Sequence, residues 1–258
     1  MRYWRDFILD LLFPISCLGC SRPDVWLCPR CFKSLTINTK HVCPKCQKSN
    51  QSSTYCSKCS SNFYLNGIWV ASDYNNPLLA STIKKFKYSF IKDLRRPLAL
   101  LLALYLRQVI NQFRLTNSNL TGGKIWQKFS RLDDAPALIL NFPKTLIIYV
   151  PLHKKRLRWR SFNQAELLAD SISKRFSLEQ NKHDLKRIRH TKAQAKLNKQ
   201  ERQNNLSNSF AWNGNDLLGR HILLIDDVAS TGSTLNECAR VLKENGAGEI
   251  WGLVVARG

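Results

Sequence analysis

Eight of the nine cysteines lie in one short segment and repeat the same Cys-x2-Cys spacing. Such a turn brings two thiolates to one point, and two turns supply the four ligands that Zn²⁺ prefers in a tetrahedron. Thiolates select soft metals over Mg²⁺ or Ca²⁺, and four protein ligands leave no open position for a water molecule. The spacing therefore predicts two structural zinc sites, whose ligands are Cys17, Cys20, Cys28, Cys31, Cys43, Cys46, Cys56 and Cys59.

Other uses of these cysteines fit the pattern less well. Disulfides are rare in a reducing compartment, a thioredoxin-like redox centre needs only one such pair, and ferredoxin-type clusters use other spacings. Consecutive pairing of the four turns is the simplest arrangement, and a crossed arrangement that joins the first turn with the third stays open. The ninth cysteine, Cys238, falls in a predicted helix and is interpreted as a small buried apolar residue.

A second motif, at 221–234, joins an apolar run, two adjacent acids and a loop of small residues. Backbone N–H groups at a helix N-terminus bind phosphate, and Gly232 lets the backbone approach it closely. Carboxylates would repel that phosphate, but they accept hydrogen bonds from the hydroxyls of a sugar. The motif therefore predicts a site for a ribose 5-phosphate group, formed by Asp226, Asp227, Ala229, Ser230, Thr231, Gly232, Ser233 and Thr234.

Two basic stretches precede this motif. The first is predicted as a loop after a strand, where Arg156, Arg158 and Arg160 could meet a pyrophosphate group. The second is polar and poorly patterned, as a mobile lid would be, and a charged surface helix is its alternative. The candidate residues of this predicted flexible loop are Arg187, Arg189, Thr191, Gln194 and Arg202.

The elements that must position these groups alternate between strand and helix. Apolar runs predict buried parallel strands at 145–150, 221–225 and 249–255, with helices at about 162–176 and 233–245 between them. Upstream, the pattern predicts a strand at 67–71 and helices at 78–87 and 93–114, whereas 115–144 is predicted to be a loop or insertion. The fold class is therefore α/β with a doubly wound parallel sheet, in a domain at 65–258. Residues 1–64 form the predicted cysteine domain, which begins with a short amphipathic helix at 1–16.

The charge of the chain favours an anionic partner. Its 40 Lys and Arg against 18 Asp and Glu give a net charge of +22, and residues 151–209 carry 15 basic and 5 acidic side chains. A basic face that is merely solvated is the alternative. A hydrophobic content of 44% excludes wholesale disorder. The longest apolar run, Leu98–Leu106, is about half of the ~20 residues that a membrane-spanning helix needs. Without a signal-peptide layout either, we expect the chain in the cytoplasm.

These motifs resemble two known families. The 221–234 segment resembles the PRPP signature of type I phosphoribosyltransferases, and nearly the whole chain is similar to the ComF family of DNA-uptake proteins. The stretches that carry the second resemblance are the cysteine pairs, Phe86–Tyr88, Val150–His153, Arg160–Gln164, Arg187–Gln194, Glu201–Asn205 and the 222–234 loop. One departure is Ser161, where that family usually has glycine.

The resemblance implies a double zinc ribbon followed by a type I phosphoribosyltransferase-like sheet. It implies that Asp226 and Asp227 hold the ribose 2′ and 3′ hydroxyls, and that the loop at 230–234 holds the 5-phosphate. It also implies a role in handling internalised single-stranded DNA, during natural transformation or nutrient use, together with other DNA-uptake proteins. The net charge of +24 over residues 1–209, with Trp159 between two arginines, is suited to a single strand.

Two other functions use the same residues. An active phosphoribosyltransferase would bind PRPP with Mg²⁺ and transfer ribose 5-phosphate to an acceptor, with release of pyrophosphate. No sequence feature identifies that acceptor. Binding of PRPP without turnover, as a regulatory signal, is the third hypothesis.

Overall fold

A five-stranded parallel sheet forms the centre of the computed structural model, which describes residues 15–50, 53–61, 63–117, 145–189 and 208–258. The strands lie in the order β1-β7-β6-β2-β3. A separate antiparallel pair, β4 and β5, follows the main sheet's third strand along the chain. The strands are β1 (Gly67–Asp73), β2 (Leu146–Tyr149), β3 (Glu179–Asn181), β4 (Leu185–Arg187), β5 (Phe210–Trp212), β6 (Ile222–Ala229) and β7 (Ile250–Arg257).

Helices cover both faces of the sheet, which confirms the predicted doubly wound α/β class. On one face α3, α4 and α6 share a core with Trp69, Leu223 and Leu253. On the other face α7 packs with the β4-β5 pair against alternate strand residues such as Leu224 and Ile250. The helices are α1 (Pro29–Lys33), α2 (Ser57–Ser60), α3 (Pro77–Tyr88), α4 (Arg95–Asn117), α5 (Lys154–Arg160), α6 (Gln164–Phe176) and α7 (Ser233–Glu244), with a 3₁₀ turn at Lys92–Leu94. No helix in the ranges given above combines the length and apolarity needed to cross a membrane.

The segment predicted as a basic loop is instead the helix α5, so that prediction was wrong. His153 caps its first turn by accepting a hydrogen bond from the Lys155 N–H at 3.3 Å. Its residues are mostly good helix formers, and the density of charge obscured this in the sequence. The helix ends at Ser161, whose φ of 62° lies in the left-handed region that favours glycine. Asn163 then caps α6.

The cysteine-rich segment packs directly on the sheet. Leu27 and Leu35 are buried in the same core as α3 and α4. Along the outer edge of β1, the Ile68 N–H donates to the Ser53 carbonyl at 3.2 Å, and a side chain at Gly67 would lie 2.4 Å from that carbonyl oxygen. Glycine therefore permits this close backbone approach. The domain boundary at residue 64 stays a prediction, since the two parts share this pairing.

Two predicted segments fall largely outside the described ranges. Of the N-terminal helix at 1–16 only the last two residues are described, and they are not helical. Of the insertion at 115–144 only the first three residues are described, and they belong to α4.

Candidate functional site

The eight clustered cysteines form two groups of four thiols. Within each group the Sγ atoms all lie within 4.8 Å of one another. The Sγ atoms of Cys20 and Cys28 are 3.7 Å apart, as are those of Cys46 and Cys56. A tetrahedron with Zn–S bonds of about 2.3 Å has edges of about 3.8 Å, so both groups have the dimensions of a four-cysteine zinc site. The grouping is consecutive: Cys17, Cys20, Cys28 and Cys31 form the first, and Cys43, Cys46, Cys56 and Cys59 form the second.

Backbone N–H groups point at the thiols of both groups. The Cys28 N–H donates to the Cys17 Sγ at 3.3 Å, and the Cys56 N–H donates to the Cys43 Sγ at 3.4 Å. Burial acts to raise the pKa of Cys17 and Cys43, but backbone donors outweigh it and lower each pKa to about 6. Stabilised thiolates are the form that ligates a metal. Cys238, by contrast, is fully buried in the core beneath α7, as predicted, and burial raises the pKa of its thiol.

The loop that follows β6 leads directly into α7. Gly232 has a φ of 76° and stands at the N-cap of the helix, where a side chain would lie 2.8 Å from the Ile68 side chain. The Thr231 and Ser233 hydroxyls are 2.7 Å apart, which places two further polar groups beside the first turn. This glycine turn at the start of a twelve-residue helix is the geometry that suits a phosphate group.

Strand β6 continues through both acids of the predicted site. The expected strand ended at residue 225, but pairing with β7 extends it to Ala229. Because neighbouring strand residues point to opposite faces, Asp226 and Asp227 have different surroundings. Burial and the adjacent Asp227 carboxylate raise the pKa of Asp226 to about 7, although the charges of Lys87 and Arg187 act in the opposite direction.

Lys87, near the end of α3, is the partner of Asp227. Its Nζ lies 2.8 Å from the Asp227 Oδ1, with side-chain exposures of 18% and 9%. Burial acts to lower the pKa of Lys87, but the Asp227 and Asp226 carboxylates raise it. Sequence reasoning assigned no role to Lys87. Two features of the sequence could have indicated a role. Lys87 is a cation at the end of a predicted helix that follows a strand, and it lies in Phe86–Tyr88, one of the stretches that resemble the ComF family.

The three arginines predicted for pyrophosphate have different exposures on α5. Arg156 and Arg160 stand four residues apart and share one side of the helix, whereas Arg158 is exposed. Arg160 is buried and donates to the Gln164 side-chain oxygen at 3.1 Å. Burial and the charge of Arg160 lower the pKa of Arg156. The three therefore do not act as one exposed patch.

The candidate residues of the predicted flexible loop fall into two groups, of which only Arg187 and Arg189 lie within the described residues. Arg187 belongs to β4, and the Arg189 N–H donates to the Ser209 carbonyl at 3.4 Å, so both stand at the base of the segment rather than in a lid. The Arg187 guanidinium carbon lies 5.3 Å from the centre of the Phe210 ring. Burial and the charge of Arg156 lower the pKa of Arg187. Thr191, Gln194 and Arg202 lie outside the described residues.

The structure thus connects Lys87, Arg156 and Arg187 to the acid pair through a series of neighbouring charges. Lys87 contacts Asp227 directly, Arg187 acts on Asp226, and Arg156 acts on Arg187. We call these five residues the charge cluster. It lies towards the carboxyl end of β6, next to the glycine turn at Gly232, where parallel sheets bind their ligands.

Two domain families match this chain. The double zinc ribbon domain matches residues 8–60, and the phosphoribosyl transferase domain matches residues 163–257. The first contains both groups of four thiols, and the second contains the acid pair and the glycine turn.

Relatives that match nearly the whole chain are named as competence or DNA utilization proteins. Competence protein F of Haemophilus influenzae is 31% identical over 89% of this chain and 96% of its own length. The DNA utilization protein YhgH of Escherichia coli K12 is 29% identical over 93% of this chain and 97% of its own length. Competence protein ComFC of Bacillus subtilis is 28% identical over 87% of this chain and 81% of its own length. With a double zinc ribbon ahead of a phosphoribosyl transferase domain, the chain belongs to the ComF family of competence and DNA-utilisation proteins.

Proposed function

We propose that this protein handles internalised single-stranded DNA during natural transformation or nutrient use, and that its α/β domain binds a phosphoribosyl ligand of the PRPP type. The names of its relatives, which are competence and DNA-utilisation proteins, support the first part. The observation that carries the second part is the charge cluster beside the glycine turn of α7. A PRPP-type ligand needs that combination of anion-binding groups and hydroxyl acceptors.

Each part of the ligand has a suitable partner. The 5-phosphate is held by the segment from the end of β6 to the first turn of α7, which comprises Ala229, Ser230, Thr231, Gly232, Ser233 and Thr234. Asp226 and Asp227 accept hydrogen bonds from the ribose hydroxyls. The guanidinium groups of Arg156 and Arg187 balance the pyrophosphate, since each pKa is lowered by burial and by a neighbouring cation, and an anion relieves both effects.

Mg²⁺ belongs to this proposal as a companion of the ligand. Carboxylate oxygens suit Mg²⁺, which keeps few protein ligands and binds substrate phosphates. Asp227 is already paired with Lys87, and the pKa of Asp226 lies at about 7, so the described residues alone make a poor magnesium cage. The ion would therefore be held mainly by the pyrophosphate group.

A calorimetric titration with PRPP and Mg²⁺ tests the ligand. We expect saturable binding that weakens at least 10-fold in an Asp226→Asn/Asp227→Asn variant, because each substitution replaces a carboxyl oxygen with an NH₂ group that cannot accept a hydrogen bond. Asp216→Asn is the control, since Asp216 lies before the amino end of β6, whereas the acid pair lies towards its carboxyl end. Equal affinity of the double variant contradicts the proposed site. Pyrophosphate release in the presence of a nucleobase or amine would favour an active phosphoribosyltransferase instead.

The zinc ribbon carries a separate proposal, that each group of four thiols binds one structural Zn²⁺. Cysteines that serve as thiolate ligands fit a reducing compartment, and we place the protein in the cytoplasm for that reason. Metal analysis of the reduced protein should give two zinc ions per chain. A zinc content near zero contradicts the proposal.

Binding of single-stranded DNA is tested by its dependence on salt. The basic surface predicts that the logarithm of the affinity falls steeply with the logarithm of the salt concentration, because each neutralised phosphate releases counterions. Absence of binding at low salt contradicts this part of the proposal. Capture of other DNA-uptake proteins on the same strand would extend it to the machinery as a whole.

A further inference from the structure

On α5, Trp159 contacts two further exposed aromatic side chains, Tyr88 at the end of α3 and Phe90 just beyond it. The Tyr88 and Trp159 ring centres are 6.2 Å apart, and the Phe90 and Trp159 ring centres are 5.5 Å apart with the rings nearly perpendicular. Their exposures are 54% for Tyr88, 42% for Phe90 and 57% for Trp159. We call these three residues the aromatic platform. Although the rings contact Trp159, about half of each side chain stays exposed, so together they form an apolar surface in contact with water.

One residue of the platform has a strained backbone conformation. Phe90 has a φ of 58°, a conformation that bulky residues rarely adopt. Such strain persists where surrounding structure enforces it, and it concentrates at functional positions. Tyr88 is the last residue of α3, and Trp159 lies on the last turn of α5, so two separate helices fix the other two rings.

A dense positive charge adjoins the rings. Helix α5 carries five cations and no acid: Lys154, Lys155, Arg156, Arg158 and Arg160. The Arg160 guanidinium carbon lies 5.2 Å from the Tyr88 ring centre and 5.9 Å from the Trp159 ring centre. Arg160 is only 9% exposed, its Nε atom has no hydrogen-bond partner, and within the described ranges no carboxylate forms an ion pair with it. A buried guanidinium group without a carboxylate partner is stabilised when an anionic ligand binds beside it.

We propose that the aromatic platform is a base-stacking surface for single-stranded DNA, with the strand's phosphates alongside the cations of α5 other than Arg156, namely Lys154, Lys155, Arg158 and Arg160. This inference rests on the proposed function and specifies where the strand lies. Unpaired bases offer free π faces, and alternating aromatic and basic groups are what a single strand needs. A purely apolar protein partner would gain nothing from five cations, and a duplex keeps its bases inside. Because Tyr88 follows Lys87 directly, the strand passes beside the charge cluster.

The test compares two probes and two variants by fluorescence anisotropy. The probes are a strand of about 20 thymidines, long enough for any usual single-strand site, and an abasic strand of the same length. Tyr88→Leu/Trp159→Leu removes two of the three rings, including the one that contacts both others, and keeps an apolar surface. Tyr64→Leu is the matched control, since Tyr64 is an exposed tyrosine (46%) that makes no contact with the platform.

We expect the double variant to bind the thymidine strand about 10- to 100-fold more weakly, with an unchanged salt slope. The control variant should bind as the wild type does. The abasic strand should bind weakly to the wild type and equally weakly to the double variant, because it has no bases to stack. Arg158→Gln should reduce the salt slope instead.

Four results would overturn the inference, and they differ from one another. If the wild type binds the thymidine strand and the double variant binds it equally well, the bases stack elsewhere and the proposed function stands. If the double variant loses the abasic strand to the same extent, the platform does not act through bases. If the double variant instead loses self-association in sedimentation, the platform is an interface between copies. Failure of the wild type to bind either strand also overturns the DNA-handling part of the proposed function.

Discussion

Replacing Lys87 with methionine removes one partner of the Lys87–Asp227 ion pair in the charge cluster. The Lys87 Nζ and Asp227 Oδ1 atoms are 2.8 Å apart, and both side chains are largely buried. Methionine keeps most of the apolar stem of lysine, so the change removes the charge with little change in volume. What is left is a carboxylate on the buried strand β6 without its cation.

The structure contains a comparison pair with the same N–O distance and more exposed side chains. The Lys182 Nζ and Asp170 Oδ1 atoms are also 2.8 Å apart, but their side chains are 41% and 29% exposed. At this distance the attraction is roughly 6 kcal/mol at an effective dielectric constant of about 20, and about 1.5 kcal/mol in bulk water. Removing one partner of a buried pair typically costs about 3–5 kcal/mol, and an exposed pair contributes about 0–1 kcal/mol. Because some water reaches Lys87, we expect a loss of about 3 kcal/mol for Lys87→Met and at most about 1 kcal/mol for Lys182→Met.

Urea unfolding of the reduced, zinc-loaded protein, followed by tryptophan fluorescence, measures both losses. A second variant, Lys87→Met/Asp227→Leu, removes both charges and should recover most of the lost stability, because no buried charge is then unpaired. The reasoning is refuted if Lys87→Met and Lys182→Met lower the free energy of unfolding by the same amount. It is refuted equally if the double variant is no more stable than the single one.

Three further changes give measurable outcomes. Ser161→Gly should raise the free energy of unfolding by about 0.5–1 kcal/mol, since glycine adopts the φ of 62° without strain, whereas Ser161→Ala should give no gain. The raised pKa of Asp226 gives a contribution to stability that is present at low pH and is lost as the pH rises towards about 7. Between pH 6 and 8 the wild type should therefore lose about 1 kcal/mol more than Asp226→Asn, and parallel curves in urea unfolding would contradict this. Cys20→Ser should lower the zinc content from two ions to about one per chain, with Cys238→Ala as the unaffected control.

The sequence predicted the main strands well, because buried parallel strands are continuous apolar runs. It missed the extension of β6 through Asp226 and Asp227, since carboxylates are unusual in a strand. Pairing of Val228 with Ala256 of β7 overrides that preference. The short polar strand β3 has no local signal either, and only its pairing with β2 makes it a strand.

The sequence predicted the part of the candidate site that forms one continuous motif, but it did not predict the contacts that this motif makes with distant residues. The glycine turn and the acid pair are adjacent in sequence, so their spacing alone indicated a phosphoribosyl site. The contact between Lys87 and Asp227 joins distant parts of the chain, and no local pattern of residues in the sequence indicates it. The basic stretch at Lys154–Arg160 was assigned to a loop because its charge was weighed and its helix propensity was not.

The order of strands in the sheet has a consequence for how the chain folds during synthesis. Strand β1 leaves the ribosome early, yet its strand partner β7 is the last strand of the sheet to be made. Until then only one edge of β1 is protected, by the zinc ribbon made just before it, through the Thr54–Gly67 bridge. β7 also pairs with β6, so its arrival joins the first strand to the rest of the sheet in one step. We therefore expect that a metal-loaded ribbon protects this edge of β1 until β7 has been translated.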